Sequence, residues 1–505
     1  CHWSAQKFSG RALSSRYALS RAPPAQEEWG CPEGAKPPWR LFGDFLAVQK
    51  VTGVRGEQPR AFDGEGIYSE EKQKGAVMKI SIYTLGCKVN QYETAAMEHT
   101  LLNRGHQLVP FDTPADAYII NTCTVTAVSD KKSRQMIRRA RKQAPNAVVA
   151  VCGCYAQTNP DEIKTLDVDL ISGTGDRMKF LDLVEPAVRE KAPILAVAEA
   201  LRRRSFELLP AGGMTERTRA MLKVEDGCTN FCSYCIIPYA RGPVRSLPLE
   251  EAKAEVRRLA SEGYQEIVLT GIEISSWGRD LPDAPPLIDL VEAVCQTAPD
   301  LRVRLGSLEP RTVTGDFCRR AAALDNLCPH FHLSMQSGCD ATLRRMNRKY
   351  DTARFLESVT LLRRFFDCPA ITTDLITGFP GETEEEFSET LSFLRQCAFA
   401  EMHIFPYSIR PGTPAAAMEQ VPGPVKEERA ARAAAAADKM HLEYLQNCVG
   451  RIFNVLYEQP RDGLFQGHAE NYMTVAARGE DLHNLIRPTK ILEARDGLLI
   501  GEIID

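Results

Sequence analysis

The sequence lacks any uninterrupted apolar run near the roughly 18 residues that a membrane-spanning helix needs, so no transmembrane segment is predicted. It lacks a large charge of either sign: 62 Lys+Arg against 66 Asp+Glu leave a formal net charge of −4. That balance does not by itself point to nucleic acid. No apolar segment followed by a small-residue cleavage site opens the chain, so no secretory signal is read and a cytoplasmic location is expected. The hydrophobic fraction of 44% and charged fraction of 25% over 505 residues are ordinary for a globular protein, and the length suggests about three domains. What the sequence has in quantity is cysteine, 16 in all. Disulfide scaffolds are usually short and secreted. In a long chain, clustered cysteines point to metal binding or redox chemistry.

Residues 1–77 carry scattered Pro, Gly, Trp and Arg without periodicity, Cys1 and Cys31 among them. They are expected to be a disordered or non-native extension. From Met78 to about residue 205 the texture changes to alternating strand and helix. Strands are expected at 79–86, 117–122, 147–153 and 168–173, with helices at 91–105 and 126–144 between them. Such alternation predicts an open parallel sheet covered by helices. Cys87, Cys123 and the pair Cys152 and Cys154 fall at the ends of the first three strands. Ligands gather at the carboxyl ends of parallel strands, so three strands deliver thiols to one edge, where an iron–sulfur site is expected. A lone buried cysteine is usually a small hydrophobe; three at equivalent places are not so easily explained. Cys154, just beyond its strand, is the expected third ligand, and Cys152 lies within the strand.

The stretch EDGCTNFCSYCIIPYARG (225–242) holds Cys228, Cys232 and Cys235 in a CxxxCxxC spacing. Three thiolates on one tight loop can grip three irons of a 4Fe-4S cube and leave the fourth open. Structural zinc sites use four protein ligands, and no fourth Cys or His stands at finger spacing. Strands at 219–224, 266–270, 301–306, 331–335, 370–376 and 402–406 alternate with helices, which predicts six β/α units of a partial TIM-like barrel. Active sites of such barrels lie at the C-terminal strand ends. Those ends read TGIEISSWG, GSLEP, QSGCD and TGFPGE, and the cofactor-contact candidates on them are Gly271, Ser307, Glu309, Gln336 and Gly378.

The CxxxCxxC loop resembles the signature of radical S-adenosylmethionine enzymes, which implies that S-adenosylmethionine binds the open iron and that Tyr234 sits against its adenine. TLGCKVNQ, NTCTVT, GCYAQ, QSGCDATLRRMNRKY and FPYSIRPGTPAA add a resemblance to the methylthiotransferase family, from about Met78 to the C-terminus. The resemblance implies an α/β protein in three parts after the extension. These are an N-terminal domain (78–205) with an auxiliary 4Fe-4S cluster on Cys87, Cys123 and Cys154, a radical S-adenosylmethionine (β/α)6 barrel (214–440) with its cluster on Cys228, Cys232 and Cys235, and a small C-terminal TRAM β-barrel (441–505). It implies a tRNA methylthiotransferase. TLGCKVNQ resembles the branch acting on threonylcarbamoyladenosine beside the anticodon; siblings act on isopentenyladenosine or a ribosomal-protein side chain. The resemblance further implies an electron donor such as flavodoxin or ferredoxin and a sulfur source. In the family's outline one S-adenosylmethionine methylates sulfur carried on the auxiliary cluster and a second yields a 5′-deoxyadenosyl radical. The chain departs from the usual pattern at Leu247, Trp277 and Met335, none of them a proposed ligand.

DKKSRQMIRRARK (130–142) reads as a basic helix, with Lys131, Lys132, Arg134, Arg138, Arg139 and Arg141 as RNA-contact candidates. A solvated helix face is the alternative, and phosphate contact would add sequence-independent affinity. Arg202–Arg204 and Arg344, Arg345, Arg348 and Lys349 read as further basic patches. The C-terminal part is acidic on balance, which is unexpected for an RNA contact. The competing class is a non-catalytic iron–sulfur carrier or RNA-binding scaffold, which would bind clusters but not cleave S-adenosylmethionine.

Overall fold

The computed structural model describes residues 77–190, 193–210 and 218–504. The extension expected at 1–77, with Cys1 and Cys31, lies outside the described residues up to residue 76. The first unit is a six-stranded sheet. Its strands are β1 (Lys79–Thr84), β2 (Gln107–Leu108), β3 (Ala117–Thr122), β4 (Val148–Gly153), β5 (Leu170–Ser172) and β6 (Ile194–Ala196). They run parallel in the order β2-β1-β3-β4-β5-β6. The near-continuous apolar runs AYIINT and VVAVCG have helices on both faces, as a parallel sheet requires. Cys152 is in β4, fully buried among Met78, Ile80 and Phe180. Helix α1 (Lys88–Asn103) leaves β1, α2 (Ala127–Gln143) leaves β3, and the short α3 (Cys154–Thr158) leaves β4.

The second unit is built from β7 (Arg219–Lys223), a two-stranded ribbon of β8 (Glu225–Asp226) and β9 (Arg245–Ser246), β10 (Glu266–Thr270), β11 (Arg302–Leu305), β12 (His330–Gln336), β13 (Ala370–Thr377) and β14 (Glu401–Pro406). Two parallel triplets, β7-β10-β11 and β12-β13-β14, are joined by parallel bridges from Val303 to Leu327 and from Leu308 to Leu333. The six barrel strands match the expected ones to within one or two residues at each end. Two of the family departures touch: the buried Trp277 indole donates to the Leu247 carbonyl (2.9 Å). Met335 is fully buried in the same core.

A single helix, Gly423–Cys448, runs from the barrel into the third unit, across the boundary expected at 440. Its alanine-rich stretch is strongly helix-forming. There β15 (Ile452–Arg461), β16 (Leu464–Ala469), β17 (Thr474–Ala477), β18 (Leu485–Arg495) and β19 (Leu498–Ile503) close into a small barrel. It docks on the N-terminal ends of β10 and β11. Buried Glu266 orients Arg302 and Arg304, which donate to the carbonyls of Asn454 (2.9 Å) and Glu470 (2.8 Å). The opposite, C-terminal ends of the strands are therefore left for the site. Among the described residues no helix is long and apolar enough to cross a membrane.

Candidate active site

Cys87 caps α1 just after β1, Cys123 follows β3 directly, and Cys154 is the first residue of α3 after β4. These three strands are neighbours in the sheet, so the three thiols stand side by side at one edge. Two glycines make room. Gly86 has φ +113°, and a Cβ on it would meet the Cys123 Cβ at 2.9 Å and Sγ at 3.1 Å. Gly153 has φ +98°, and a Cβ there would lie 2.3 Å from the Thr122 carbonyl oxygen. Both positions demand the left-handed freedom of glycine. Between them the Asn90 amide donates to the Leu85 (2.7 Å) and Thr122 (3.0 Å) carbonyls and ties α1 to the strand ends.

Cys228, Cys232 and Cys235 lie on the loop after β8, closed by a turn in which Cys235 N–H donates to the Cys232 carbonyl (3.0 Å). Phe231 sits in that loop at φ +46°, an unusual conformation for a bulky residue. Phe231 and Tyr239 are exposed and pack edge to face, with centroids 5.7 Å apart.

Members of both sets open onto one cavity of about 230 Å³, lined by Cys87 and Cys123 from the sheet, Tyr234 and Cys235 from the loop, and Gln336 and Asp374 from β12 and β13; Cys154, Cys228 and Cys232 stand outside its lining. Ile376, Phe405 and Pro406 line it as well. The two units are clasped at its rim. Arg410, after β14, donates to Asp130 Oδ2 and to the Thr124 carbonyl, both at 2.8 Å, and the Ala127 N–H donates to Ser408 Oγ (3.0 Å).

Burial pushes the Cys123 thiol up to about 12, with neighbouring Cys154 and Cys87 adding to the rise. Burial and then Cys232 push Cys235 up to about 12. Thiols raised in this way favour a bound cation, a charge that iron would supply. Among the described residues no three Cys, His, Asp or Glu side chains converge on a point that one ion could occupy. Cluster thiolates need not converge, because each holds its own iron. The donor sets, the glycine cradle and the apolar walls fit 4Fe-4S clusters.

Each set also has a buried or part-buried arginine on it that sequence reading missed. Arg241, at the end of the PYAR helix, donates from Nε to Cys154 Sγ (3.4 Å) and from Nη2 to Asn90 Oδ1 (2.7 Å). It is also paired with Glu93, as is Arg177 (2.7 Å). Burial alone would raise the Glu93 carboxyl, but Arg177, Arg241 and Lys223 outweigh it and hold it low, at about 2. Arg348 donates from Nη1 to Cys232 Sγ (3.3 Å). PYARG and MNRKY were visible as motifs; that each arginine reaches a cysteine was not. Asp374 was read only as part of a strand. It lines the cavity; its Oδ2 lies 3.4 Å from His332 Nε2, and its Oδ1 has no hydrogen-bond partner among the described residues.

Of the cofactor-contact candidates, Tyr234 and Gln336 face the cavity, and Gln336 takes φ +68° there. Gly271, Ser307, Glu309 and Gly378 stand at the same strand ends but outside the cavity lining. Glu309 pairs with Arg311 (2.7 Å), and a Cβ on Gly271 or Gly378 would meet Glu225 or Lys426. Of the basic residues on α2, Arg134 pairs with Glu162, Arg139 with Asp112, and Arg141 with Asp167 and Asp169. Lys132 and Arg138 make no ion pair among the described residues, and Lys131 is exposed.

The Radical SAM superfamily matches residues 222–394, and the uncharacterized protein family UPF0004 matches residues 79–173. The threonylcarbamoyladenosine tRNA methylthiotransferase MtaB of Bacillus subtilis is 42% identical over 423 residues, covering 82% of this chain and 94% of that protein. The MtaB of Aquifex aeolicus is 35% identical, covering 81% and 99%. The tRNA-2-methylthio-N(6)-dimethylallyladenosine synthase of Pelotomaculum thermopropionicum is 32% identical, covering 84% and 97%. Among solved structures, the radical S-adenosylmethionine methyltransferase TsrM of Kitasatospora setae, with cobalamin and a 4Fe-4S cluster bound, is 15% identical at a TM-score of 0.49, covering 77% of this chain and 81% of that one. Relatives this similar, aligned over nearly their whole length, leave one assignment: the chain belongs to the radical S-adenosylmethionine tRNA methylthiotransferase family.

Proposed function

We propose that the enzyme methylthiolates C2 of N6-threonylcarbamoyladenosine, just 3′ of the anticodon in tRNA, with two 4Fe-4S clusters. Cys228, Cys232 and Cys235 hold the reducing cluster, and Cys87, Cys123 and Cys154 hold the auxiliary one. The observation that carries this reading is the shared cavity, onto which Cys87, Cys123 and Cys235 all face. A substrate atom placed there is within reach of both sets at once. The C2–H bond is neither acidic nor electrophilic, so the bound clusters and S-adenosylmethionine supply the one-electron chemistry and the methylthio group. The chain's own contribution is placement. Tyr234 and Gln336 offer a ring face and an amide to S-adenosylmethionine. Gly271, Ser307, Glu309 and Gly378 shape the strand ends around it, and Ile376, Phe405 and Pro406 keep water from the reacting atoms.

The tRNA reaches this cavity with its anticodon loop. Lys131, Lys132 and Arg138 on α2 meet phosphates, and the exposed Phe231 and Tyr239 rings offer stacking faces to unpaired bases. Arg134, Arg139 and Arg141 brace α2. A flavodoxin- or ferredoxin-type donor and a sulfur source complete the turnover. The threonylcarbamoyl branch is supported chiefly by the Bacillus relative at 42% identity, against 32–34% for the dimethylallyladenosine enzymes.

The test is mass spectrometry of tRNA nucleosides from a strain lacking the modification, with and without this gene. A 2-methylthio-N6-threonylcarbamoyladenosine peak is expected. A methylthio peak on isopentenyladenosine instead would keep the reaction and overturn the branch. No new tRNA nucleoside from protein with both clusters filled would overturn the substrate.

A further inference from the structure

The segment Arg344–Tyr350 reads in sequence as a basic patch, but the structure splits it in two. Arg344 and Lys349 are exposed, and Arg345 is paired with Glu386. The rest lies across the cysteine loop. Ser233 N–H donates to the Met346 carbonyl (3.0 Å), Ser233 Oγ to the Arg345 carbonyl (2.7 Å), and Asn347 Nδ2 to the Phe231 carbonyl (2.9 Å). Strapped in this way, Arg348 points inward. Its Nη1 donates to Cys232 Sγ (3.3 Å), its Nε to Tyr350 Oη (2.9 Å) and its Nη2 to the Ser334 carbonyl (3.0 Å).

No carboxylate is among these partners, and Arg348 makes no ion pair among the described residues. Arg348 is half-buried, and a guanidinium partly withdrawn from water is favoured by a negative charge facing it. Arg241, on the other cysteine set, has Glu93 for that purpose. Arg348 has only the Tyr350 hydroxyl, the Ser334 carbonyl and the Cys232 sulfur. Of these, the sulfur is the partner that can carry negative charge.

We propose that Arg348 is the fixed counter-cation of the reducing cluster, hydrogen-bonded to the Cys232 sulfur and raising the potential at which that cluster accepts its electron. This rests on the assignment of Cys228, Cys232 and Cys235 as ligands. Adding an electron beside a held positive charge is favoured, and hydrogen bonds to cluster sulfurs are a known lever on potential. Arg348 is a positioning residue: it acts through Cys232.

The test uses full-length protein reconstituted anaerobically, with R348Q and R348K. The midpoint potential is read by EPR-monitored titration of the cluster whose signal changes on adding S-adenosylmethionine. R348Q should lower that potential, R348K should fall between R348Q and the parent, and the other cluster should not move. R348Q should also cleave S-adenosylmethionine slowly with dithionite and recover with the stronger reductant titanium(III) citrate, which a packing defect would not do. An unchanged potential at full iron content overturns the proposal. So does equal iron loss in R348Q and R348K, which would make the arginine's bulk, not its charge, the cause. Persistence of the S-adenosylmethionine-responsive signal in C232A would instead overturn the ligand assignment itself.

Discussion

The two cysteine sets both reach one cavity, through Cys87 and Cys123 and through Cys235, yet are assembled in opposite ways. Cys228, Cys232 and Cys235 sit on one loop, and a separate strap lies across it. Cys87, Cys123 and Cys154 come from three strand ends and meet only because β1, β3 and β4 are neighbours. The first set is held by local turns. The second is held by glycines that let strand ends approach and by a buried charge network that reaches into the barrel unit through Arg241. A local set can form as soon as its loop does; a non-local one waits for the whole sheet and for the domain interface.

The sharpest way to break this comparison is at the thiols. Cys232→Ala should abolish S-adenosylmethionine cleavage, read as loss of 5′-deoxyadenosine. Cys123→Ala should keep the cleavage, lose methylthiolation of tRNA and retain about half the iron, as two equal clusters require. Cleavage that survives in Cys232→Ala would exchange the roles of the two sets.

Next comes Glu93→Gln, which removes the carboxylate facing Arg177, Arg241 and Lys223. Lys223 and Arg241 keep Asp226 as a partner, so Arg177 is the cation left stranded; breaking such a buried pair typically costs roughly 3–5 kcal/mol, visible in denaturant unfolding. Iron should be lost from the Cys154 set first. The pH dependence has a definite sign: the folded Glu93 carboxyl, at about 2, lies below its ordinary 4.5. Its stabilisation is full above about 4.5 and is lost as pH falls toward 2. An acid limb that is identical in Glu93→Gln would show that other carboxylates dominate.

Gly86→Ala tests the cradle. The left-handed backbone costs an L-residue on the order of 1–2 kcal/mol, and the new Cβ meets Cys123 at 2.9 Å. The loss should appear as auxiliary iron missing from protein whose other cluster is full. The smallest effect is expected from Lys132→Ala. It should weaken tRNA binding slightly for all sequences and lower the salt slope by about 1, leaving both clusters untouched.

The same contrast decides what could be read before the structure. The barrel strands were legible because each is a short stretch rich in apolar and β-branched residues bounded by turn residues or helical segments, even where Arg or Asp interrupts it, as in RVRL and AITTDLIT. The CxxxCxxC loop was legible because its ligands are local. The strand-end cysteines were legible only through the rule that parallel strands present their carboxyl ends together. The charged residues were the least legible. Arg348 looked like one member of a surface patch, and three of the α2 arginines looked free. Pairing between residues far apart in sequence leaves no local pattern: Arg139 reaches Asp112, and Arg348 reaches Cys232. The glycines at 271 and 378 were read as room for a cofactor, yet their nearest neighbours are Glu225 and Lys426 of the protein itself.

The docking of the small C-terminal barrel has a consequence for how such enzymes diverge. Arg302 and Arg304 grip it by main-chain carbonyls, those of Asn454, His468, Ala469 and Glu470. A carbonyl is present whatever the side chain. That part of the joint therefore constrains the fold of the barrel much more than its sequence. Its outer face can be rewritten, from acidic to basic or back, without loosening these bonds. The module is exchangeable in principle: grafting the corresponding barrel of a relative onto this one should preserve the joint and transfer whatever RNA preference its surface carries.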